Sequence, residues 1–265
     1  MVEYRIVREI KLAFEWAGNG EELIVFLHGV GADRTGWEPQ VKFFSNAGYS
    51  VAAIDMRGSG LSQARDENGL ALPISIADFA SDVHALILAL GFEKAHWVGN
   101  SMGGVIIMEA FRQQFPTIAK AVLCNTFAKH PDSALLLPRP ANALKTKSLA
   151  EFAAERIPFA LKPDIAPAIL ESSIRAMATK DVETYLLSWR ETWCQDYRTI
   201  LPNVRIPSLV ITGSLDKITP SALGLEIAGL IPDAAYHEIQ NASHLSNLDQ
   251  PEEFNRVVLE FLKKP

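Results

Sequence analysis

The sequence predicts an α/β fold in which a mostly parallel sheet carries helices on both faces and a helical cap is inserted late in the chain. Two observations predict it. Short runs that are apolar on both faces alternate with amphipathic stretches of helical period, which is typical of strand–helix–strand units. Between residues 126 and 200 this alternation stops, and short proline-punctuated stretches rich in aromatic side chains replace it.

Length and composition fit an enzyme-sized globular chain. The 265 residues carry 25 Lys and Arg against 31 Asp and Glu, which gives a formal net charge of −6, and 48% of them are hydrophobic. These values exclude wholesale disorder, and an acidic chain without a basic run is not expected to bind nucleic acid. No apolar stretch is membrane-spanning and no signal peptide is apparent, so we expect a cytoplasmic protein in which Cys124 and Cys194 are reduced.

The predicted strands begin with a pair within residues 3–17. Five further apolar runs follow at 23–27, 49–55, 96–99, 119–124 and 208–212, and a last strand is predicted at 236–239. Their apolar character on both faces indicates a buried sheet rather than one open to solvent.

Helical periodicity lies between these strands. Residues 76–90 place apolar side chains at the i, i+3, i+4, i+7 spacing, and Gly91 supplies a stop. Residues 102–114 and 251–263 follow the same pattern. We therefore divide the chain into a first part of an α/β core at 1–125, a helical cap at 126–200 and a second part of the core at 201–265.

A candidate nucleophile lies in residues 99–104, which read Gly-Asn-Ser-Met-Gly-Gly and match the pattern G-x-S-x-G. The pattern follows a predicted strand and opens a predicted helix, so Ser101 sits on a tight strand-to-helix turn. Gly99 and Gly103 leave room for that turn, because larger side chains would clash with neighbouring backbone. The helix N-terminus favours developing negative charge. This context predicts a nucleophilic serine.

A serine hydroxyl needs a base to react at neutral pH, and the base needs an acid to orient it. Of the six histidines, His244 lies in a loop between the last predicted strand and the final helix. Asp216 follows another strand at the same carboxyl edge, where catalytic loops converge. The chain order Ser101, Asp216, His244 indicates a catalytic triad. The rival position for the acid holds Asn125, which cannot carry the charge.

A second glycine-rich turn at residues 28–31 precedes a helical segment. Its glycines allow backbone N–H groups to point into the site. The Val30 and Met102 amides are the expected oxyanion donors. His28 is expected to tie this loop down rather than to take part in the chemistry.

The order of these motifs resembles the α/β-hydrolase superfamily. His-Gly at 28–29, Asp-Met-Arg-Gly-Ser-Gly-Leu-Ser at 55–62, the elbow at 99–104, Asp216 and His244 carry the resemblance. It covers nearly the whole chain and implies a serine hydrolase that needs no cofactor and no metal. Ser59 departs from the family pattern, in which a histidine usually follows Arg-Gly. A haloalkane dehalogenase is excluded, because it needs an aspartate in place of the nucleophilic serine.

A finer resemblance is to 3-oxoadipate enol-lactonases and small carboxylesterases. Residues 123–129 and 243–251 carry it, together with Trp37 after the oxyanion loop. It implies hydrolysis of a carboxylic ester or lactone, with a small molecule as the substrate. The cap is less similar to these relatives, and the cap would select the substrate.

Two alternatives remain open. The elbow also resembles carbon–carbon hydrolases of aromatic ring-cleavage pathways, in which the Asn before the serine pairs with a cap arginine. Asn100 is present and Arg190 is a candidate partner, but Leu245 replaces the aromatic residue that follows the histidine in those enzymes. A ligand receptor that retained the triad is less favoured, because the segment Arg57-Gly58 is intact.

The substrate pocket is expected to combine core and cap side chains. The candidates are Trp37, Asn100, Phe127, Trp189, Arg190, Trp193 and Leu245. A net charge of −6 does not steer an anionic substrate toward the enzyme, so such a substrate would need a local cation. Five cap residues are candidates for that cation: Arg139, Lys145, Arg156, Arg175 and Arg190.

Overall fold

The computed structural model describes residues 1–264 and contains one eight-stranded sheet. Its strands are β1 (Val2–Val7), β2 (Ile10–Ala17), β3 (Leu23–Leu27), β4 (Ser50–Ile54), β5 (Ala95–Asn100), β6 (Ile118–Cys124), β7 (Ser208–Gly213) and β8 (Ala235–Ile239). They are ordered β1-β2-β4-β3-β5-β6-β7-β8. β2 pairs antiparallel with β1 and β4, and every pair from β4 to β8 is parallel. The predicted mostly parallel α/β sheet is confirmed.

The helices of the core connect these strands. They are α1 (Glu38–Asn46), α2 (Ile76–Ala89), α3 (Met102–Arg112), α9 (Ser221–Leu230), α10 (Ser246–Asp249) and α11 (Pro251–Leu262). The periodic segments 76–90, 102–114 and 251–263 correspond to α2, α3 and α11. Ser75 caps α2 by accepting a hydrogen bond from the Asp78 amide, and Gly91 with a positive φ follows its end.

Alternate residues of each central strand pack into two apolar layers. In β3, Leu23 and Val25 belong to the layer that contains α2 and α3, whereas Ile24 and Phe26 belong to the layer that contains α1 and α11. All five residues of β3 are buried. A strand covered on both faces reads as one continuous apolar run, which explains the sequence pattern.

The cap connects β6 to β7. Its helices are α4 (Ser133–Leu136), α5 (Arg139–Ala143), α6 (Leu149–Arg156), α7 (Pro167–Ala178) and α8 (Val182–Trp193). Two contacts hold it to the loop around His244. Leu245 N–H donates to Ala160 O at 2.9 Å, and Lys162 N–H donates to the Asp249 carboxylate at 3.0 Å. These bonds fix the end of α6 and the turn after it above the carboxyl edge of the sheet.

Neither cysteine forms a disulfide. Cys124 is buried at the end of β6 and Cys194 is exposed after α8. Burial raises the pKa of the Cys124 thiol, so it is an unreactive part of the core. Across residues 1–264, no helix has the length and apolarity to cross a membrane, and no three His, Cys, Asp or Glu side chains are grouped as metal ligands.

Candidate active site

Ser101 lies on a strained turn between β5 and α3. Its φ of 54° and ψ of −113° lie outside the regions that L-residues favour. The turn needs glycine on both sides. A Cβ at Gly99 would lie 2.3 Å from Gly103 C, and a Cβ at Gly103 would lie 2.2 Å from Leu27 O. The local sequence therefore allows β5 to pass directly into α3 and raises Ser101 above the sheet, as the elbow pattern predicts.

His244 and Asp216 form a buried pair beside this turn. His244 Nδ1 lies 2.9 Å from Asp216 Oδ2, and both residues are buried. Asp216 Oδ1 accepts hydrogen bonds from the Ile218 and Thr219 amides at 2.8 and 2.9 Å. Burial alone would raise the pKa of the Asp216 carboxyl, but His244 and the bonds from Thr219 outweigh it and the net shift is downward. Asp216 is therefore an anion that can orient the imidazole.

Asn125 extends this pair into a network that the sequence did not reveal. Its Nδ2 donates to Asp216 Oδ2 at 3.0 Å, and its Oδ1 accepts from Ser246 Oγ at 2.6 Å. Asn125 follows β6 with a φ of 45°, which asparagine tolerates better than most residues. The residue at the rival acid position thus joins the Asp216 loop to the His244 loop. The one sequence feature that distinguishes Asn125 is that its polar side chain directly follows a buried strand.

One cavity of about 140 Å³ brings Ser101 and His244 together. The core side is formed by the 28–39 segment and the elbow, and the cap side by the end of α6, the turn after it and α7. Asp216 Oδ2 and Thr219 Oγ1 both lie within hydrogen-bond distance of His244 Nδ1, whereas His244 Nε2 has no hydrogen-bond partner among the described residues. The imidazole thus presents a free nitrogen, and Ser101 lines the same space. This arrangement is suited to general-base activation of a hydroxyl.

The two expected oxyanion donors are both available. Within residues 1–264 neither Val30 N–H nor Met102 N–H donates a hydrogen bond. Gly29 is packed against the elbow, since a Cβ there would lie 3.1 Å from Ser101 Cβ. The 28–31 turn therefore packs against the elbow, and the Val30 and Met102 amides on these two segments have no partner among the described residues. Two such donors at one point can stabilise an oxyanion.

His28 orients one of these amides. The Met56 amide donates to His28 Nε2 at 3.1 Å, so Nδ1 carries the proton and donates to Gly29 O at 2.8 Å. Burial lowers the pKa of His28 to about 3, and the charge of Lys180 acts in the same direction, which keeps the ring neutral. Gly29 C=O and Val30 N–H belong to one trans peptide and point in opposite directions. Holding the carbonyl therefore aims the N–H.

Three of the seven expected pocket residues line the cavity: Trp37, Asn100 and Leu245. Trp37 is nearly buried and stacks on Phe26 with ring centroids 4.9 Å apart. Asn100 is 3% exposed, and neither its amide nitrogen nor its oxygen has a partner among the described residues. A buried side-chain amide with no partner is costly, and because Asn100 lines the cavity, a polar group of a bound ligand could pair with it.

The other four expected pocket residues lie elsewhere, which corrects that expectation. Phe127 and Trp193 stack on each other with centroids 5.0 Å apart, and both are buried. Trp189 is buried and its Nε1 donates to Leu136 O at 3.1 Å. Arg190 is exposed in a surface groove of the cap. The reason is helical geometry, because α8 turns residues 185, 189 and 193 into the cap interior and residue 190 outward.

The cap side of the cavity contains side chains that the sequence did not single out as pocket residues. They are Arg156, Ile157, Ala160, Ile169, Ser172, Ser173 and Ala176. Arg156 is one of the five cap residues predicted as a possible anion-binding cation. Among the residues that line the cavity, it is the one Lys or Arg. The two serines and two alanines carry no sequence signal that would separate them from an ordinary helix face.

Comparison with known proteins agrees with this fold. The profile of the family described as "alpha/beta hydrolase fold" matches residues 22–251. A 2-hydroxy-6-oxononadienedioate/2-hydroxy-6-oxononatrienedioate hydrolase from Burkholderia vietnamiensis is 30% identical, covering 97% of this chain and 92% of the relative. A 3-oxoadipate enol-lactonase from Acinetobacter baylyi is also 30% identical, covering 92% and 91%. The crystal structure of an enol-lactonase from Burkholderia xenovorans superposes with a TM-score of 0.90 at 28% identity, over 99% of this chain and 100% of that one.

Proposed function

The chain belongs to the α/β-hydrolase fold family, and on that premise we propose that it hydrolyses a carboxylic ester or lactone with Ser101, His244 and Asp216 as its catalytic triad. The observation that carries the proposal is that His244, whose Nδ1 lies 2.9 Å from Asp216 Oδ2, lines the same cavity as a serine on a strained elbow. The hydrolase relatives support a hydrolytic reaction. Their names divide between carbon–carbon hydrolases and an enol-lactonase, so the bond that is cleaved is part of the proposal.

The first half of the reaction forms an acyl-enzyme. Ser101 Oγ attacks the carbonyl carbon while His244 Nε2 accepts the hydroxyl proton, and Asp216 stabilises the resulting imidazolium. The carbonyl oxygen becomes an oxyanion between the Val30 and Met102 amides. Each such donor contributes roughly 3 kcal/mol to the transition state. The tetrahedral intermediate then collapses, the ester C–O bond breaks, and His244 returns the proton to the leaving alkoxide.

The second half of the reaction uses the same groups with water. His244 removes a proton from a water molecule, whose oxygen attacks the acyl carbon on Ser101. The intermediate again places its negative oxygen at the Val30 and Met102 amides. Collapse breaks the acyl–Ser101 bond, and the imidazolium returns the proton to Oγ. A free carboxylic acid leaves, and the enzyme is regenerated without any added group.

Hydrolysis of a carbon–carbon bond is the second candidate. The unpaired amide of Asn100 favours a substrate with a polar group next to the nucleophile. Arg190, the cap arginine expected to pair with Asn100, is exposed outside the cavity, and Arg156 is the cap arginine that lines it. Leu245 in the lining supplies no aromatic ring after His244. Ester or lactone hydrolysis therefore has the stronger support.

A hydrolysis screen tests the proposal. The wild type and Ser101→Ala are compared on p-nitrophenyl esters, on aliphatic lactones followed by pH-stat, and on vinylogous diketones. We expect multiple turnover of esters or lactones by the wild type and its loss in Ser101→Ala. Turnover of the diketones alone would instead establish the carbon–carbon reaction. A wild type that cleaves none of the three classes would reject the proposed function.

A further inference from the structure

Arg156 brings a positive charge into a cavity of an acidic protein. It ends α6, and it is the one Lys or Arg among the residues that line the cavity. The cavity also contains two carboxylates, but Asp33 accepts hydrogen bonds from the amide and hydroxyl of Thr35, and Glu38 is exposed. Within residues 1–264, neither carboxylate forms an ion pair with Arg156, which therefore lines the cavity without an acidic partner.

Arg156 has no protein partner, unlike the other arginines near the site. Arg34 pairs with Asp55 at 2.7 Å, and Arg57 pairs with Asp82 at 2.6 Å. Within residues 1–264, no hydrogen bond or ion pair involves the Arg156 guanidinium. Burial lowers the pKa of Arg156, and the nearby charge of Arg139 acts in the same direction. A guanidinium stays charged even so, so the fold maintains a partly desolvated cation without an anion.

Aromatic and polar neighbours complete the surroundings of this cation. The guanidinium carbon of Arg156 lies 4.5 Å from the ring centre of Trp189. Stacking on the ring restricts the rotation of the guanidinium group. It uses none of the guanidinium N–H groups, which remain free to donate hydrogen bonds to another partner. The hydroxyl of Tyr185 is buried and has no hydrogen-bond partner among the described residues. On the core side, Asn100 is 3% exposed, lines the cavity and has both amide atoms unpaired.

The segment that carries Arg156 is fixed relative to the candidate base. The turn that follows α6 contains Ala160, whose carbonyl accepts the Leu245 amide at 2.9 Å. Lys162, just beyond it, donates its amide to Asp249. Because Leu245 directly follows His244, these hydrogen bonds tie the cap segment to the loop of the candidate base. A group held by Arg156 would thus be held at a set position relative to the reacting carbonyl.

We propose that Arg156 binds a carboxylate of the substrate, so that the enzyme acts on esters or lactones that carry a free carboxylate group. A planar guanidinium matches a carboxylate with two parallel N–H···O bonds, and partial burial strengthens such a pair. The inference rests on the proposed hydrolytic function. It selects Arg156 from the five cap cations, of which Arg190 is exposed on the outer surface of the cap.

A matched pair of substrates tests the proposal. Mono-p-nitrophenyl glutarate carries a free carboxylate, and its methyl ester masks that carboxylate without changing the chain. Release of p-nitrophenolate reports cleavage of the same bond in both. We expect the wild type to show a kcat/KM at least 10-fold higher for the free carboxylate, in this compound or in its succinate or adipate homologue. No preference in any of the three pairs would overturn the proposal.

Substitution of Arg156 identifies the cation. Arg156→Met should reduce the ratio of the two kcat/KM values by roughly 10- to 100-fold, which is the value of a hydrogen-bonded charge pair. Arg156→Lys should retain part of the ratio, because it keeps the charge but loses the two-pronged geometry. Arg190→Met is the control, and its ratio should equal that of the wild type. A ratio unchanged in Arg156→Met, or reduced equally in Arg190→Met, would overturn the assignment.

Binding measurements separate this inference from the proposed function. Glutarate is titrated by calorimetry into Ser101→Ala and into Ser101→Ala/Arg156→Met at low ionic strength. We expect binding to the first protein and at least 10-fold weaker binding to the second. This result would support the carboxylate site even if no ester were hydrolysed. Equal binding, or none to either protein with glutarate, succinate or adipate, would reject the site whether or not Ser101 is a nucleophile.

Discussion

Asn125 Nδ2 lies 3.0 Å from Asp216 Oδ2, the same oxygen that faces His244 Nδ1 at 2.9 Å. The asparagine therefore shares the carboxylate oxygen that holds the base. The side-chain oxygen of Asn125, Oδ1, accepts a hydrogen bond from Oγ of Ser246, which lies two residues beyond His244. Asn125 thus bridges the acid loop and the base loop, and we expect it to act as a positioning residue for the pair.

Substitution of Asn125 should impair turnover rather than substrate binding. Asn125→Leu removes one donor to the Asp216 carboxylate and leaves Ser246 Oγ without its partner. We expect kcat to fall on the order of 10-fold, the value of one hydrogen bond to a charged group, with KM nearly constant. Steady-state kinetics on a p-nitrophenyl ester measures both constants. A variant with unchanged kcat, or one in which only KM rises, would show that Asn125 does not position the pair.

His28 should affect the oxyanion through the Gly29–Val30 peptide. His28→Leu removes the bond to Gly29 O and leaves the peptide free to rotate, so the Val30 amide no longer points steadily at the reaction centre. Loss of one oxyanion donor costs about 100- to 1,000-fold in kcat, which is the upper limit expected here. The affinity for a reversible boronic or phosphonic analogue of the intermediate should fall in parallel. Normal kcat in a folded His28→Leu protein would exclude this role.

The buried neutral His28 also predicts a pH dependence of stability. Its pKa is lowered to about 3 in the folded protein, against 6.5 for the exposed side chain. Between these values the unfolded chain binds a proton that the folded protein does not, so stability falls as the pH decreases from about 6.5 toward 3. His28→Leu lacks this contribution. Urea unfolding at pH 7.5, 6 and 5 should therefore show a smaller loss in the variant than in the wild type, and equal losses would contradict the assignment.

Gly103 should be required for the elbow itself. A Cβ at this position would lie 2.2 Å from the backbone oxygen of Leu27, which cannot move without disturbing β3. Gly103→Ala should destabilise the protein by at least about 2 kcal/mol and abolish activity. Gly229→Ala in α9 is the matched control, because nothing lies within 4 Å of the added methyl group. Thermal unfolding that showed the same Tm for both variants would contradict the crowding at the elbow.

The elbow and the placement of Ser101, Asp216 and His244 at one edge of the sheet were predictable because their signals are local or follow chain order. Glycines at 99 and 103 indicate a crowded turn, and a parallel sheet places the loops of Asp216 and His244 at one edge. The direction in which each cap side chain points could not be predicted from such local signals. Arg156 and Arg190 look alike in the sequence, and only the packing of α6 and α8 turns one into the cavity and the other to solvent.

The same reasoning explains the aromatic residues. Trp189 and Trp193 are spaced by one helical turn on α8, which indicates a buried face but not what that face contacts. In the structure this face packs against other cap residues, including Phe127 on Trp193, and not against the substrate cavity. Helix direction within a cap depends on tertiary contacts that periodicity does not encode. Pocket residues in such a segment therefore need a structure.

Covalent labelling of Ser101 tests the central claim most directly. A fluorophosphonate reacts with a serine only where a base and an oxyanion site activate it. After treatment of the folded wild type, peptide mass spectrometry should find one adduct, on Ser101, and none after urea unfolding or in Ser101→Ala. An unmodified Ser101 in folded protein, or an adduct that persists at another residue in Ser101→Ala together with full esterase activity, would contradict the account.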